Sequence, residues 1–452
     1  MNKLTKKFIC VLTSAVLALS CASCAFIAAA EDTVAINAVN FPDEVFRQVI
    51  SENYDTGESA GYLTAAEIAA VTEMPLVYLA SGSISDLTGI EHFTSLKSLY
   101  AGDLGVSKAN FSALKNLQKL VINGNELTTL DVSANTALTD LNCRGNTSLR
   151  TLTLSSSIKK LQCDECNLQT LFVSVCPNLT YLNCYGNQLK TIDLSKNTLL
   201  EELNCSENHL KQLDLSANTL LAGKITEYNV GRQTIDATAS FSGETLSVPV
   251  SFSDSSKIQS SNIPNPNEVQ EGEEDTYTGY DSSFGVFSFT DYDIILSGID
   301  YKYDTGAANS EAMTVHINIS KDFYRVRYFS DEQESAIVRL SYVNSAGSCS
   351  APAFPQAPEG MVCVHWSGTA SNVTADTDIY AIWSAEHTET ITGFENGTAF
   401  VKCTVCQNSY EARFLDHINS RLGDGAYITA LDVNKDGVIN IRDYTMLYKN
   451  EF

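Results

Sequence analysis

Leu182-Asn183-Cys184-Tyr185-Gly186-Asn187-Gln188-Leu189 is the stretch whose reading decides the fold of this chain. It is one instance of L-x-C-x-x-N-x-L-x-x-L, which restarts at Leu99, Leu120, Leu141, Leu161, Leu182 and Leu203 with spacings of 21, 21, 20, 21 and 21 residues. A period near 20 with inward residues two apart predicts one short strand per coil of a solenoid. Side chains alternate along a strand, so Leu182 and Cys184 point inward while Tyr181, Asn183 and Tyr185 point outward. The same inward position carries Ala101, Ile122, Cys143, Cys163, Cys184 and Cys205, a column of small apolar side chains. Asn125, Asn146, Asn187 and Asn208 make a second column, where an amide bonds the backbone of neighbouring turns. The half-repeat Asp193 to Leu200, echoed from Asp214 to Leu221, returns the chain to the next strand.

Outward residues of stacked strands form parallel columns. The middle column reads Tyr100, Val121, Asn142, Gln162, Asn183 and Asn204, flanked by Arg144, Asp164, Tyr181 and Tyr185. Amides donate and accept, and tyrosines add flat apolar area with a polar tip. The mixture suits a glycan or a polar protein patch, the alternative being asparagines that merely solvate a strand. Tyr181 and Tyr185 bear on that choice, because two exposed aromatics on one strand are costly without use. The repeat resembles the leucine-rich repeat family, specifically the 21-residue, cysteine-ladder type of internalin-like bacterial surface proteins. The resemblance implies a fold whose members bind other molecules.

At 452 residues the chain has room for several cores. Lys3, Lys6 and Lys7, an apolar run and Ala28-Ala29-Ala30 read as a secretory signal peptide over residues 1–30, with lipidation at Cys21 or Cys24 as the alternative. Export makes the expected location extracellular or the cell surface. A net charge of −25 argues against nucleic acid and anionic membranes as partners.

Residues 31–90 read as a helical N-terminal cap, with an apolar stripe at Val45, Phe46, Val49 and Ile50 and a capping box at Thr64-Ala65-Ala66-Glu67. The intervening Asp55 to Leu63 resembles an EF-hand-like turn, but its inserted residue and missing carboxylate favour a metal-free hairpin. Repeats occupy 91–221. Alternating segments such as Val315-His316-Ile317-Asn318-Ile319 make 222–320 a β-rich capping module, with Asp254 to Asp275 as a loop and His316 as a strand-face residue. Residues 321–384 resemble the internalin-type β-grasp repeat, with Trp366 and Trp383 in its core and Cys349 and Cys363 as a possible pair.

In the last segment, 385–452, Asp432-Val433-Asn434-Lys435-Asp436-Gly437-Val438-Ile439-Asn440-Ile441-Arg442-Asp443 places oxygen donors for calcium. The ligands are Asp432, Asn434, Asp436, the Val438 carbonyl, Asn440 and Asp443, with glycine at the sharp turn. Aspartate at the last position, with a helix after the loop, resembles a type I dockerin, here with a single loop. That resemblance implies attachment to a cohesin module of a cellulosome scaffold. Upstream, Phe414, Leu415, Ile418 and Leu422 form a helical stripe. Cys403 and Cys406 are a lone C-x-x-C that His387 or His417 could complete as a zinc site, with a disulfide or free thiols as alternatives.

The expected fold is therefore a multidomain α+β chain: a leucine-rich-repeat solenoid with a helical N-terminal cap, then β-rich modules and a small helical calcium-binding C-terminal module. No H-E-x-x-H, G-x-S-x-G or phosphate-binding glycine loop occurs, which favours a non-catalytic protein. Three readings follow: a binding protein docked through its C-terminus, a free or wall-associated adhesin with a structural calcium loop, and a carbohydrate-active enzyme with its site in 222–320.

Overall fold

The computed structural model describes residues 33–57, 60–262, 279–356, 362–384, 389–403, 409–417, 431–433, 435 and 438–449. The leader at 1–30 lies outside them, as do Asn434, Asp436, Cys406, His387, Ile418 and Leu422. The chain divides into two compact units, Met1–Leu149 and Arg150–Phe452.

In the first unit, helix α1 (Glu44–Asn53) buries Phe46, Val49 and Ile50, the stripe the spacing predicts. Asp43 caps it by accepting from Val45 N and Phe46 N, and its other oxygen takes Ser85 N at 2.9 Å. One carboxylate thus ties the start of the helix to the turn at Ser85, which follows the strand Glu73–Pro75 in sequence. Helix α2 (Ala65–Ala70) starts at the Thr64–Glu67 capping box. Four parallel strands follow: β1 (Glu73–Pro75), β2 (Ser98–Tyr100), β3 (Lys119–Val121) and β4 (Asp140–Asn142). Met74, Leu99, Leu120 and Leu141 stand in register, all buried. The coil on β1 is one that the leucine spacing does not show. Met74 replaces leucine 25 residues before Leu99, and Leu76 fills the inward position.

The second unit opens with β5 (Lys160–Gln162), β6 (Tyr181–Asn183) and β7 (Glu202–Asn204), parallel and with Leu161, Leu182 and Leu203 in register. A coil beyond β7 was also unforeseen. Cys205 N donates to Asn229 O and Glu207 N to Gly231 O, as Cys184 N and Gly186 N do to Asn204 O and Ser206 O one coil earlier. Val230 therefore stands where Cys205 stood, after 25 residues, and a helical turn, α3 (Glu227–Val230), replaces the strand.

The amide column explains why these coils hold their spacing. Asn187 Oδ1 accepts from Leu168 N at 3.0 Å while its Nδ2 donates to the Cys163 and Cys184 carbonyls. Asn125, Asn146 and Asn208 do the same in their coils. Gln233 closes the column, accepting from Leu210 N and donating to the Cys205 and Val230 carbonyls. Each buried amide serves backbone groups that would otherwise be unpaired, at about 1–3 kcal/mol per orphaned group. A second row works on the return side, where Asn197 donates to Val173 O and Cys176 O, and Asn218 to Leu194 O and Asn197 O.

Cys143, Cys163, Cys184 and Cys205 are buried free thiols. Burial pushes Cys205 up to about 12 and drives Cys163 and Cys184 well above the ordinary thiol range. Cys166, the partner of Cys163 in C-x-x-C, is buried as well.

The chain leaves the last coil through β8 (Gln233–Ser242), which is central to a seven-stranded sheet. The other strands are β9 (Thr245–Pro249), β10 (Ile258–Ser261), β11 (Tyr280–Asp281), β12 (Val286–Phe289), β13 (Ile299–Tyr303) and β14 (Met313–Lys321). Their order is β10-β13-β14-β8-β9-β12-β11. Strand β10 corrects the loop expected from Asp254 to Asp275: Ile258 is buried, and the strand pairs antiparallel with β13. With one apolar residue in four, it carries no alternation to read.

A four-stranded sheet follows, ordered β16-β15-β18-β17, from β15 (Phe323–Phe329), β16 (Ile337–Asn344), β17 (Val362–Trp366) and β18 (Thr377–Ser384). Trp366 packs edge-on to Tyr328, and Trp383 Nε1 donates to Ser330 O at 2.6 Å. Cys349 is a free thiol, and the side chain of Cys363 lies outside the described residues. The joint with the preceding sheet is dense. Asp376 accepts from Tyr292 OH at 2.6 Å, Lys321 Nζ at 2.9 Å and Arg325 N at 2.9 Å, while Tyr292 stacks on Tyr342. Three antiparallel strands, Glu389–Glu395, Thr398–Cys403 and Ser409–Arg413, and the helix Ile441–Tyr448 complete the unit. No helix among the described residues is long and apolar enough to cross a membrane.

Candidate functional site

The outward middle column appears as two stacks, one in each unit. In the first, Tyr100, Val121 and Asn142 stand in register and half-buried, with Lys119 Nζ 5.3 Å from the Tyr100 ring centre. Arg144 is exposed, and its N–H donates to Asn142 Oδ1 at 3.2 Å. In the second, Gln162, Asn183 and Asn204 are in register. Asn183 Oδ1 accepts from Tyr185 N, and Asn204 Oδ1 from Ser206 N and Ser206 Oγ. The three asparagine oxygens thus brace their own strand ends, which leaves the Nδ2 groups for a ligand.

Two expectations change. Asp164, placed on the exposed flank by strand alternation, is 5% exposed. It follows the strand end, where the backbone turns and alternation no longer sets direction. Tyr185 is not an idle aromatic: its OH donates to Glu207 Oε2 at 2.6 Å, and Arg232 pairs with the other Glu207 oxygen. The Tyr185 hydroxyl is raised by its bond to Glu207, and that bond together with Arg232 holds the Glu207 carboxyl below its ordinary range. Tyr181 is half-buried and borders a cavity of about 270 Å³ shared with Glu202, Asn204, Lys224 and Asn229. The four-residue excess in the coil after β7 opens this cavity, because α3 stands where a strand would have closed it.

The residues missed are Glu207, Lys224, Asn229 and Arg232. A shared backbone signal marks two of them, Glu207 and Arg232. Gly124, Gly145 and Gly186 hold φ values of 62°, 69° and 64°, and the same place in other coils carries Asp103, Glu165, Glu207 and Arg232 at 59°, 55°, 52° and 54°. A left-handed backbone suits glycine and costs other residues about 1 kcal/mol or more. Charged residues in a glycine column accept strain to place a side chain there, which points to use.

At the C-terminal loop, Asp432 and Asp443 are 5% and 0% exposed beside a core of Phe414, Leu431, Ile439 and Leu447. Asn440 caps the final helix by accepting from Arg442 N, and its own N–H donates to Asp443 Oδ2 at 2.9 Å. The Val438 carbonyl accepts from Asn440 Nδ2 at 2.9 Å. Asp443 thus already takes a donor from its own chain, and the two buried carboxylates belong to the donor set that the loop spacing predicts for calcium. Among the described residues no cluster of three or more His, Cys, Asp or Glu is assembled.

No family model matches the chain. No curated protein matches it either. Among solved structures it is similar to the functional domain of InlJ from Listeria monocytogenes, described as including a cysteine ladder, at 18% identity over 64% of this chain and 99% of that one, with a TM-score of 0.19. A secreted internalin-like protein from Listeria monocytogenes aligns at 16% identity over 63% and 97%, with a TM-score of 0.37. A leucine-rich repeat protein from Leptospira interrogans aligns at 22% over 29% and 37%, with a TM-score of 0.26. Superpositions this poor say nothing of function, and the solenoid stands on this chain's own strand register.

Proposed function

We propose that this chain is a non-catalytic, exported binding protein that recognises a polar protein surface or glycan through the outward face of its repeat strands. The observation that carries the reading is the ensemble at β6 and β7, where Tyr181 borders a cavity and Tyr185, Glu207 and Arg232 form a bonded chain on a strained backbone. Structural needs alone would put glycine at 207 and 232. Screening the full chain on protein and glycan arrays, then repeating the strongest hit with Tyr181→Ala plus Tyr185→Ala, tests it. Loss of binding at an unchanged melting temperature is expected. Normal binding by the double variant would remove the site from these strands.

Attachment is the second part of the proposal. The buried Asp432 and Asp443 favour a calcium-bound C-terminal loop, and the dockerin resemblance makes a cohesin module its partner. Calcium-dependent capture of the full chain on an immobilised type I cohesin supports docking. Capture that survives a chelator, or none at saturating calcium, leaves a calcium loop that only clasps the module.

A further inference from the structure

We propose that the sheet following the repeats carries a second binding site, a groove for an uncharged, hydroxyl-rich chain of the oligosaccharide class. A cavity of about 640 Å³ lies on the outer face of β10, β13, β14 and β8. Strand register builds its floor in two rows. Ser260 pairs with Lys302 and Lys302 with Thr314, while Asp300 pairs with His316 and His316 with Thr234. Alternate residues of the same strands, Tyr301, Tyr303, Val315 and Ile317, are buried beneath, so the rows are held by a packed core. Four strands span about 14 Å at ~4.8 Å per spacing, room for a short oligosaccharide.

Three features mark the groove as built rather than left over. Arg232, which lines it, holds a left-handed φ of 54°, and its N–H donates to Thr314 Oγ1 at 3.0 Å. Gly298 has a φ of 81°, and a Cβ there would lie 2.6 Å from His316 Cε1, so only glycine lets that ring settle on the backbone. Asp300 fixes the same ring through Nδ1 at 2.7 Å. Lys302 enters no ion pair among the described residues.

The chemistry selects the ligand. The Thr234 and Ser260 hydroxyls donate or accept and Lys302 donates, which matches sugar hydroxyls, while Thr314 Oγ1 and the Asn262 amide are held by the Arg232 and Asp300 N–H groups and brace the rim. Arg232 is paired with Glu207, Asp300 is hydrogen-bonded to His316, and the acidic chain repels a polyanion.

The test is calorimetric titration of the full chain with cellohexaose, xylohexaose and mannohexaose at millimolar concentration. At least one should bind, about tenfold more weakly in Lys302→Ala with Ser260→Ala, a loss of about 1.4 kcal/mol. Ser260→Trp, which fills the groove, should abolish binding, and Tyr181→Ala with Tyr185→Ala should leave it intact. If the tryptophan variant melts early, the exposed double-alanine variant decides. Absence of binding by all three hexaoses overturns the proposal, as does unchanged binding in the groove variants. Loss confined to the tyrosine variant would assign the sugar to the repeat face.

Discussion

Two loops in this chain have EF-hand character, and they differ in how deeply their terminal carboxylates are buried. In the first unit, Glu67 ends the loop that Asp55 begins. Its Oε1 accepts from Thr56 N, Thr56 Oγ1 and Gly57 N, its Oε2 from Thr64 N and Thr64 Oγ1, and Asp55 Oδ2 accepts from Gly61 N. In the second unit, Asp432 and Asp443 bound a loop whose terminal carboxylates are both buried. A carboxylate needs positive charge or hydrogen-bond donors, and either the chain or an ion can supply them. The first loop spends its own N–H groups on Glu67, so an ion would have to displace five donors. Each last carboxylate also closes a capping box, Glu67 on Thr64 N and Asp443 on Asn440 N, so what separates the loops is the depth at which the carboxylates are buried.

That contrast can be broken by experiment. The largest effect should come from Asp432→Ala, which removes a charged ligand and is expected to weaken calcium binding by about a hundredfold or more in calorimetric titration of the full chain. Equal affinity would erase the distinction. A smaller effect is expected of Glu67→Ala: a loss of about 1 kcal/mol in the denaturant stability of the first unit, the same with calcium or chelator. A calcium-dependent loss would mean that the first loop also binds the ion.

The smallest effect concerns acid. Bonds from the Thr64 backbone and the other donors lower Glu67 to about 2 from an ordinary 4.5. Its contribution is therefore complete above about pH 4.5 and disappears as pH falls through about 2. In Glu67→Gln the melting temperature should vary less over that window, whereas an identical pH profile would show the clasp to be energetically silent.

The repeats were legible because period, inward leucines and ladder asparagines all repeat within one residue of each other. The end coils were not, since each lies 25 residues from its neighbour instead of 20 or 21 and changes chemistry at the diagnostic places: Met74 and Leu76 at one end, Val230 and Gln233 at the other. Asn229-Val230-Gly231-Arg232-Gln233 does echo Asn204-Cys205-Ser206-Glu207-Asn208, but only when similarity of side-chain role is allowed. Tyr181 and Asn204 were readable as outward residues from alternation alone. Asp164 was misplaced, and Arg232 missed, because a turn sets the direction of one and a longer coil supplies the other. His316, read as a strand-face residue, lies on the outer sheet face, and its partners Asp300 and Thr234 come from strands far apart in sequence.

The last coil also determines how this part of the chain would carry mechanical load. Gln233 closes the amide column and is the first residue of β8, which pairs in parallel with β14 from Gln233 through Ala239. Tension arriving from the C-terminal side enters β14, and its passage from there to β8 shears that seven-residue pairing along its length. Such a geometry makes many hydrogen bonds resist together instead of yielding singly, and the bonds from Leu215 N and Gly223 N to Thr305 O and Ala308 O tie the same sheet to the coils a second time.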